Sequence, residues 1–353
     1  MHSWSVTSRR LLASASTKRA LREIARSWRD LTDGRKRKDD DRRTLLAVSG
    51  GADSSAMALA LAAAVPGAER RLVFGHIVHD MRPAEESQAD LALVQELGAW
   101  LGVEVLHERV QVRSGTGNLE ARARTQRYGQ LRELARRGKC QFVASAHHAD
   151  DVLETMLMRL VRGAGPRGLA CVSPSRDLGD GVTLVRPMLM QTRATCEAIC
   201  DVSNWEWATD ATNHDLTFAR AKIRAQVLPV LHELRPTASR RATQAALLMR
   251  QVSHLVATDA AELLAQGRSA AGYAWSRAFC RNVPEVVLGE ALRLAFTQVS
   301  DVKHDRLSQR TVQGVLRAVH DARHDRRDFT LGAGAARLHV RVEALTVTIH
   351  HEA

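Results

Sequence analysis

The chain has 353 residues, 45% apolar and 25% charged, the make-up of a globular protein with room for two domains. No apolar run approaches the roughly 20 residues that a membrane-spanning helix needs, so a membrane-embedded role is not expected. A net charge of +12 points instead to a polyanionic partner.

Residues 1–43 carry 13 Lys/Arg against 6 Asp/Glu, so +7 of the net charge lies there. The stretch RDLTDGRKRKDDDRR has no apolar period, and the first acid of the chain is Glu23. This segment reads as a flexible basic extension; an organellar targeting sequence, a basic arm and a misassigned start share that composition. A cytoplasmic location is expected, with organellar targeting as the alternative. The five cysteines form no C-x-x-C pair, which fits a reducing compartment. Cys196 and Cys200 lie four apart on a predicted helix, filling its face or meeting as a pair.

From Thr44 a repeating pattern begins. TLLAV (44–48), RLVFGHIV (71–78), VEVLHERV (103–110) and QFVAS (141–145) are short apolar runs, separated by helix-like segments. Strands alternating with helices predict a mostly parallel sheet covered on both faces. Such sheets bind ligands beyond the carboxyl ends of their strands, and each chemistry-bearing motif here follows one of these runs. After about residue 190 the patterns become helical, with Pro236 separating two helices. FTLGAGAARLHVRVEALTVTI (329–349) alternates as a hairpin does. The expected organisation is an extension over 1–43, an α/β domain over 44–230, and a mainly helical domain over 235–353 with a C-terminal β-hairpin.

The turn after the first strand is SGGADS: Ser49, Gly50, Gly51, Ala52, Asp53 and Ser54. Glycines let backbone N–H groups approach an anion, and a helix starting behind them adds its dipole and unpaired donors. Serine hydroxyls add donors, and the set suits a pyrophosphate. A carboxylate beside an anion makes sense when a divalent cation bridges them, so Asp53 is the candidate magnesium ligand. The turn lacks a Walker lysine and the third glycine of a dinucleotide fingerprint. A plain strand–turn–helix with a Ser/Asp cap is the competing account.

SGGADS resembles the PP-loop of the ATP pyrophosphatases, which implies a Rossmann-like, adenine nucleotide alpha-hydrolase-like fold, ATP as cosubstrate, and cleavage between the α- and β-phosphates. Further stretches choose within that group: HIVHDMRPAEESQAD (76–90), GNLEARARTQRYGQL (117–131), ASAHHADDVLETMLMRLVRGAGPRGLA (144–170), VRPMLMQTRATCEAI, and ATDATNHDLTFARAKIR (208–224). Their order and spacing resemble the tRNA(Ile)-lysidine synthetase family over about residues 44–230. The resemblance implies adenylation of the wobble cytidine of a tRNA(Ile) with CAU anticodon, followed by attack of free lysine. Val78 and Asp80 depart from the family's asparagine and glycine, and Ala211 from a frequent proline.

Asp151 and Glu154 are three apart, hence on one helix face, and suit an ammonium or a magnesium ion; either carboxylate can also take the proton of a reacting amine. His147, at a strand-to-helix junction, suits phosphate contact or proton shuttling. In the family the arginines of the preceding helix line the ATP and lysine region. That puts Arg122 and Arg127 with the catalytic residues and Arg124 with the substrate, against a solvated basic face as the other account. His79 and Arg82 are further substrate candidates. Arg220 and Arg224, four apart, are expected to touch tRNA or ATP phosphates. Asp210 and Asn213 read as a turn. Another tRNA-modifying PP-loop enzyme such as a thiolase, or a tRNA-binding protein with lapsed catalysis, are the alternatives. Monomer and homodimer both stay open.

Overall fold

The computed structural model describes residues 4–34, 38, 41–80, 83–111, 119–208, 219–270, 272–299, 309–321, 326–333 and 336–351. They fall into two compact units, Met1–Leu248 and Met249–Ala353.

The first unit opens with helices α1 (Trp4–Ala13) and α2 (Lys18–Leu31). Strand β1 (Thr44–Ala47), α3 (Ala52–Ala64), the single turn α4 (Ala68–Arg71), β2 (Leu72–His79), α5 (Ala84–Leu101) and β3 (Glu104–Val110) follow. Next come α6 (Leu119–Arg137), β4 (Phe142–Ala144), α7 (Ala149–Val161), α8 (Pro166–Leu169), β5 (Ser175–Asp177), β6 (Thr183–Val185) and α9 (Arg193–Ser203). Helix α10 (Ala219–Lys222) runs through a π-turn (Ile223–Val227) into α11 (Leu228–Leu234), and α12 (Ala238–Gln266) contains the unit boundary. Pro236 lies between α11 and α12, as expected.

The sheet order is β3-β2-β1-β4-β6-β5, parallel except for the last strand. The four strands read from sequence are β1 to β4. β5 and β6 escaped because each is three residues long, below the reach of a period-two pattern. β1 is central and its residues are buried on both faces. The edge strand β3 alternates between exposed and half-buried residues, and Glu104, Glu108 and Arg109 keep it wet.

Residues 4–31 correct the expectation of a flexible extension. Leu11, Leu21, Ile24 and Trp28 are fully buried in the main core, with α3 and the sheet residues Leu46 and Phe74. Trp28 Nε1 donates to Thr44 Oγ1 (3.1 Å), and Arg42 Nε donates to the Thr32 carbonyl (3.2 Å). The physical reason is visible in α2, where Leu21, Ile24, Ala25 and Trp28 recur at helical spacing beneath a coat of arginines. Helix α3 has ten buried residues and no polar face, because α1, α2 and α9 pack round it. Its alanines permit that close approach.

The second unit holds β7 (Arg268–Ser269), β8 (Gly272–Ser276), α13 (Arg277–Asn282), α14 (Glu285–Val299), α15 (Gln309–His320), β9 (Arg326–Ala333), β10 (Ala336–Glu343) and β11 (Thr346–His351). The expected hairpin is part of a five-stranded antiparallel sheet, β7-β8-β11-β10-β9. Leu331, Leu338, Val340, Val347 and Ile349 bury one face of it against Leu288, Leu292, Phe296 and Val315. The alternation was read correctly over 329–349. β8 was missed because GYAWS is flanked by helical patterns.

Candidate active site

The SGGADS turn joins β1 to α3 at the carboxyl edge of the parallel sheet. Gly50 has φ +87°, a conformation that side chains avoid, so glycine is required there. Ser54 is buried, and its hydroxyl works inside the turn: it accepts from Ser49 N–H (3.1 Å) and donates to the Gly51 carbonyl (3.0 Å). It therefore shapes the loop rather than adding a donor to a ligand. Ala208 N–H donates to the Gly50 carbonyl (3.0 Å), and His76 Nδ1 donates to the Val48 carbonyl (2.8 Å). Both clamp the loop from outside. Gly51 caps α3, whose first N–H groups remain for an anion.

Asp53, in the first turn of α3, is the hub of an ionic network. Its Oδ2 accepts from Arg193 Nη1 (2.9 Å), and its Oδ1 faces His148 Nε2 at 3.5 Å. That Oδ1 is buried and accepts no hydrogen bond of ordinary geometry, so a lone pair is left for a cation. Among the described residues no cluster of three His, Cys, Asp or Glu groups is arranged as a metal cage. A divalent ion here would thus rest on one carboxylate plus phosphate and water oxygens, as magnesium commonly does.

His148 caps α7 and is almost wholly buried. Burial opposes its charged form, but Asp151, Asp53 and Asp150 outweigh that and push its pKa up to about 9. Its backbone N–H donates to Asp151 Oδ2 (3.0 Å). Asp150 points to the other side. It accepts from Arg193 N–H (2.7 Å) and from Ser239 Oγ, with His232 Nε2 at 3.4 Å. The N-termini of α3, α7 and α9 therefore meet around Asp53, and three helix dipoles favour negative charge at one point.

Asp151 and Glu154 share one face of α7, as their spacing predicts. Arg220 donates to both, through Nη2 to Asp151 Oδ1 (2.8 Å) and through Nε to Glu154 Oε2 (2.7 Å). Arg224 donates to Glu154 through Nε (2.6 Å) and Nη2 (3.1 Å). The two arginines expected on phosphates thus lie on carboxylates. Glu154 has no exposed surface, and a buried carboxylate is tolerable only when paired and hydrogen-bonded. Burial works against the Asp151 carboxylate, but His148, His147, Arg220 and a backbone N–H hold it well below its usual range.

A second group surrounds Tyr128 on α6. Arg124, Arg127 and Arg176 lie over its ring at 5.2, 5.5 and 4.7 Å. Arg186, buried just past β6, approaches its hydroxyl. His147 borders this group, with Ser145 Oγ 3.0 Å from its Nδ1. Burial, then Arg186, Arg127 and Arg124, drive the His147 pKa down against the pull of Asp151, so the ring stays neutral. Arg122 is half-buried on the same helix. His79 ends β2 at the carboxyl edge, with Ser87 Oγ on its carbonyl (3.3 Å). Val78 beside it is half-buried. Arg82, Asp210 and Asn213 lie outside the described residues.

Sequence reading missed His148, Asp150, Arg193, Arg186 and His76. The first two sit inside the quoted HHADD, where the first acid was left without a role. Arg193 and Arg186 lie in a stretch recognised only by resemblance. His76 had no signal beyond its position in a buried strand.

Comparison with known proteins adds to this geometry. The PP-loop domain family matches residues 17–231. A tRNA(Ile)-lysidine synthase from Bordetella bronchiseptica is 37% identical over 293 residues, 80% of this chain and 83% of the relative. One from Bordetella pertussis is 36% identical, covering 80% and 89%. One from Ruegeria pomeroyi is 41% identical over 211 residues, covering 59% and 49%. Among solved structures, the U34-tRNA thiolase NcsA from Methanococcus maripaludis aligns with a TM-score of 0.51 at 16% identity, over 65% of this chain and 78% of that one. At that identity the likeness speaks to the fold alone.

Proposed function

Because the chain belongs to the tRNA(Ile)-lysidine synthase family of PP-loop proteins, we propose that it ligates free lysine to C2 of the wobble cytidine in a tRNA(Ile) with CAU anticodon, using ATP. The observation that carries this reading is the continuity of one network. Asp53 of the phosphate loop touches His148, His148 binds Asp151, and Arg220 joins Asp151 to Glu154. A phosphate site and an acid pair suited to an ammonium are therefore neighbours.

In this reading the Ser49–Ser54 turn and three helix N-termini hold the triphosphate and then the departing pyrophosphate. Magnesium, if held by Asp53, neutralises phosphate charge. His148 stays protonated and faces the same anion. Arg122 steadies the charge that builds on the cytidine oxygen and the α-phosphate, whereas Arg127, expected beside it, lies over the Tyr128 ring. Asp151 and Glu154 then accept the lysine side chain, whose ammonium takes the place of a guanidinium. The amine attacks C2 and AMP departs with the former C2 oxygen. His147, whose neutral ring is too weak a base to keep a proton, accepts a hydrogen bond from the amine and hands the proton on to the departing phosphate or to water. The wobble base is unstacked to reach this site, as RNA modification requires.

A thiolase reading is less favoured, because four of the five thiols are buried and only Cys171 is half-exposed. Burial pushes the thiols of Cys140 and Cys280 up to about 11 and that of Cys200 up to about 12. Thiols so protonated are poor attackers. The test is incorporation of labelled lysine into CAU-anticodon tRNA(Ile) in the presence of ATP, compared with a version carrying U34. Label in the C34 tRNA alone, lost in Asp53→Ala, is expected. Label entering neither RNA overturns the reading. ATP–pyrophosphate exchange is expected to need tRNA and not lysine; exchange supported by lysine without tRNA would reverse the assigned order.

A further inference from the structure

We propose that Arg124, Arg127, Arg176 and Arg186, gathered on Tyr128, form a cradle for a backbone phosphodiester of the RNA, separate from the phosphate loop. The proposal rests on the reading of an RNA substrate. Three guanidinium groups crowd one aromatic ring at 4.7 to 5.5 Å. A fourth comes at the ring's hydroxyl from the opposite end of the side chain, and both that hydroxyl and Arg186 Nε are buried without reaching hydrogen-bond geometry.

Cation–π contacts of about 0.5–1 kcal/mol each do not outweigh the repulsion of four like charges at this density. Elsewhere in the unit, clustered arginines are balanced. Arg193 has Asp53 and Glu197, and Arg220 and Arg224 have Asp151 and Glu154. Among the described residues no acid pairs with any of the four cradle arginines. Arg124, Arg127 and Arg176 are exposed and screened by water, but Arg186 is buried and its Nε has no acceptor, so an anion drawn to the three exposed guanidinium groups would also supply the charge that Arg186 lacks. Buried, unmatched donors that point at one another are what an absent anion leaves behind.

Position selects the anion. The phosphate loop follows β1. Arg186 follows β6 and Arg176 lies on β5, two and three strands along. At about 4.8 Å per strand, the backbone of Arg176 lies about 14 Å across the sheet from β1, and its side chain reaches back to the Tyr128 ring. An RNA strand delivering a base to the loop runs on over such a distance, because successive phosphates lie several ångströms apart. Arginine forks suit a phosphodiester's paired oxygens. His147 lies between the two sites, and its neutrality keeps a further cation out of the gap.

Arg176 is the residue to change, since it is exposed on an edge strand and its loss leaves the core intact. Binding of a CAU anticodon stem-loop is measured against salt concentration for wild type and Arg176→Ala, with a non-hydrolysable ATP analogue titrated separately. The expected result is about a tenfold loss of RNA affinity, a salt slope smaller by about 0.7–0.9, and unchanged analogue binding. RNA affinity and slope equal to wild type overturn the cradle, as does a parallel loss of analogue binding, which would assign the anion to ATP. Thermal melting separates a structural role: a mere packing residue lowers the melting temperature and leaves RNA binding alone. Should Arg176→Ala misfold, Arg124→Gln is read in the same way. Wild-type protein that binds the stem-loop yet incorporates no lysine refutes the reaction proposed above without touching the cradle.

Discussion

Glu154→Ala tests whether the acid pair proposed to receive an amine is also a structural element. The carboxylate has no exposed surface and receives three charge-assisted hydrogen bonds at 2.6 to 3.1 Å. Removing one partner of a buried ion pair costs about 3–5 kcal/mol, because the other charge is left unmatched. The side chains of Arg220 and Arg224 are 41% and 42% exposed, however, so water recovers part of that charge. The lower end, about 3 kcal/mol, is the reasoned figure, or about 6–12 °C in melting temperature for a unit of this size. Glu154→Gln keeps the shape but turns an amide donor toward a guanidinium, and about 1–2 kcal/mol is expected.

Five of the six tryptophans, Trp4, Trp28, Trp100, Trp205 and Trp207, lie in the first unit, so intrinsic fluorescence in urea follows that unit. A double-mutant cycle with Arg224→Ala is expected to show a coupling of about 1–3 kcal/mol. If Arg224→Ala costs as much in the Glu154→Ala background as in wild type, the two side chains do not interact, and the reasoning falls.

Three further outcomes are expected. Gly50→Ala forces a side chain into a φ of +87°, at about 1–2 kcal/mol, and ATP-analogue affinity should fall at least tenfold; unchanged affinity in a calorimetric titration refutes the loop assignment. Trp28→Ala opens a cavity in the main core and should cost about 3–5 kcal/mol by urea denaturation, whereas a truly separate extension would give no change. His76 carries the third. Burial lowers its pKa from the ordinary 6.5, against the pull of Asp90, so the unfolded chain binds a proton more readily. Its contribution to stability is then complete above pH 6.5 and is lost as pH falls below it. Replacing it in His76→Asn should flatten the acid side of the melting-temperature profile, and an unaltered slope would count against a buried neutral ring.

The SGGADS turn and the first four strands were legible because each obeys a local rule. SGGADS needs a positive φ at Gly50, and glycine announces that in sequence. Asp151 and Glu154 share a helix face because of a three-residue spacing, and spacing is also visible. What the chain alone hid was partnership across sequence distance. Arg193 reaches Asp53 over 140 positions, and Arg224 reaches Glu154 over 70. Nothing local distinguishes these arginines from solvated ones. The same blindness affected α2, for a different reason. Its buried stripe of Leu21, Ile24, Ala25 and Trp28 was present, but the surrounding arginines and serines dominated the composition. Composition answers what a segment dissolves in, and periodicity answers what it packs on; here the two disagreed and periodicity was right.

The site divides into two electrostatic halves with different consequences for the substrates. Around the phosphate loop, Asp53, Asp150, Asp151 and Glu154 are met by Arg193, His148, Arg220 and Arg224. That half is balanced before any ligand arrives. An incoming ammonium gains little from it unless a guanidinium first leaves a carboxylate, and a polyanion is what draws guanidinium groups away. Around Tyr128 the charge is unbalanced and positive, so RNA meets no such barrier. For the reaction proposed above, the expected order is therefore RNA on the positive Tyr128 side and ATP on the loop, then a shift of Arg220 or Arg224 toward phosphate, and last an amine at Asp151 and Glu154. Such an order would protect the activated cytidine, since the amine site would open only when there is something for the amine to attack.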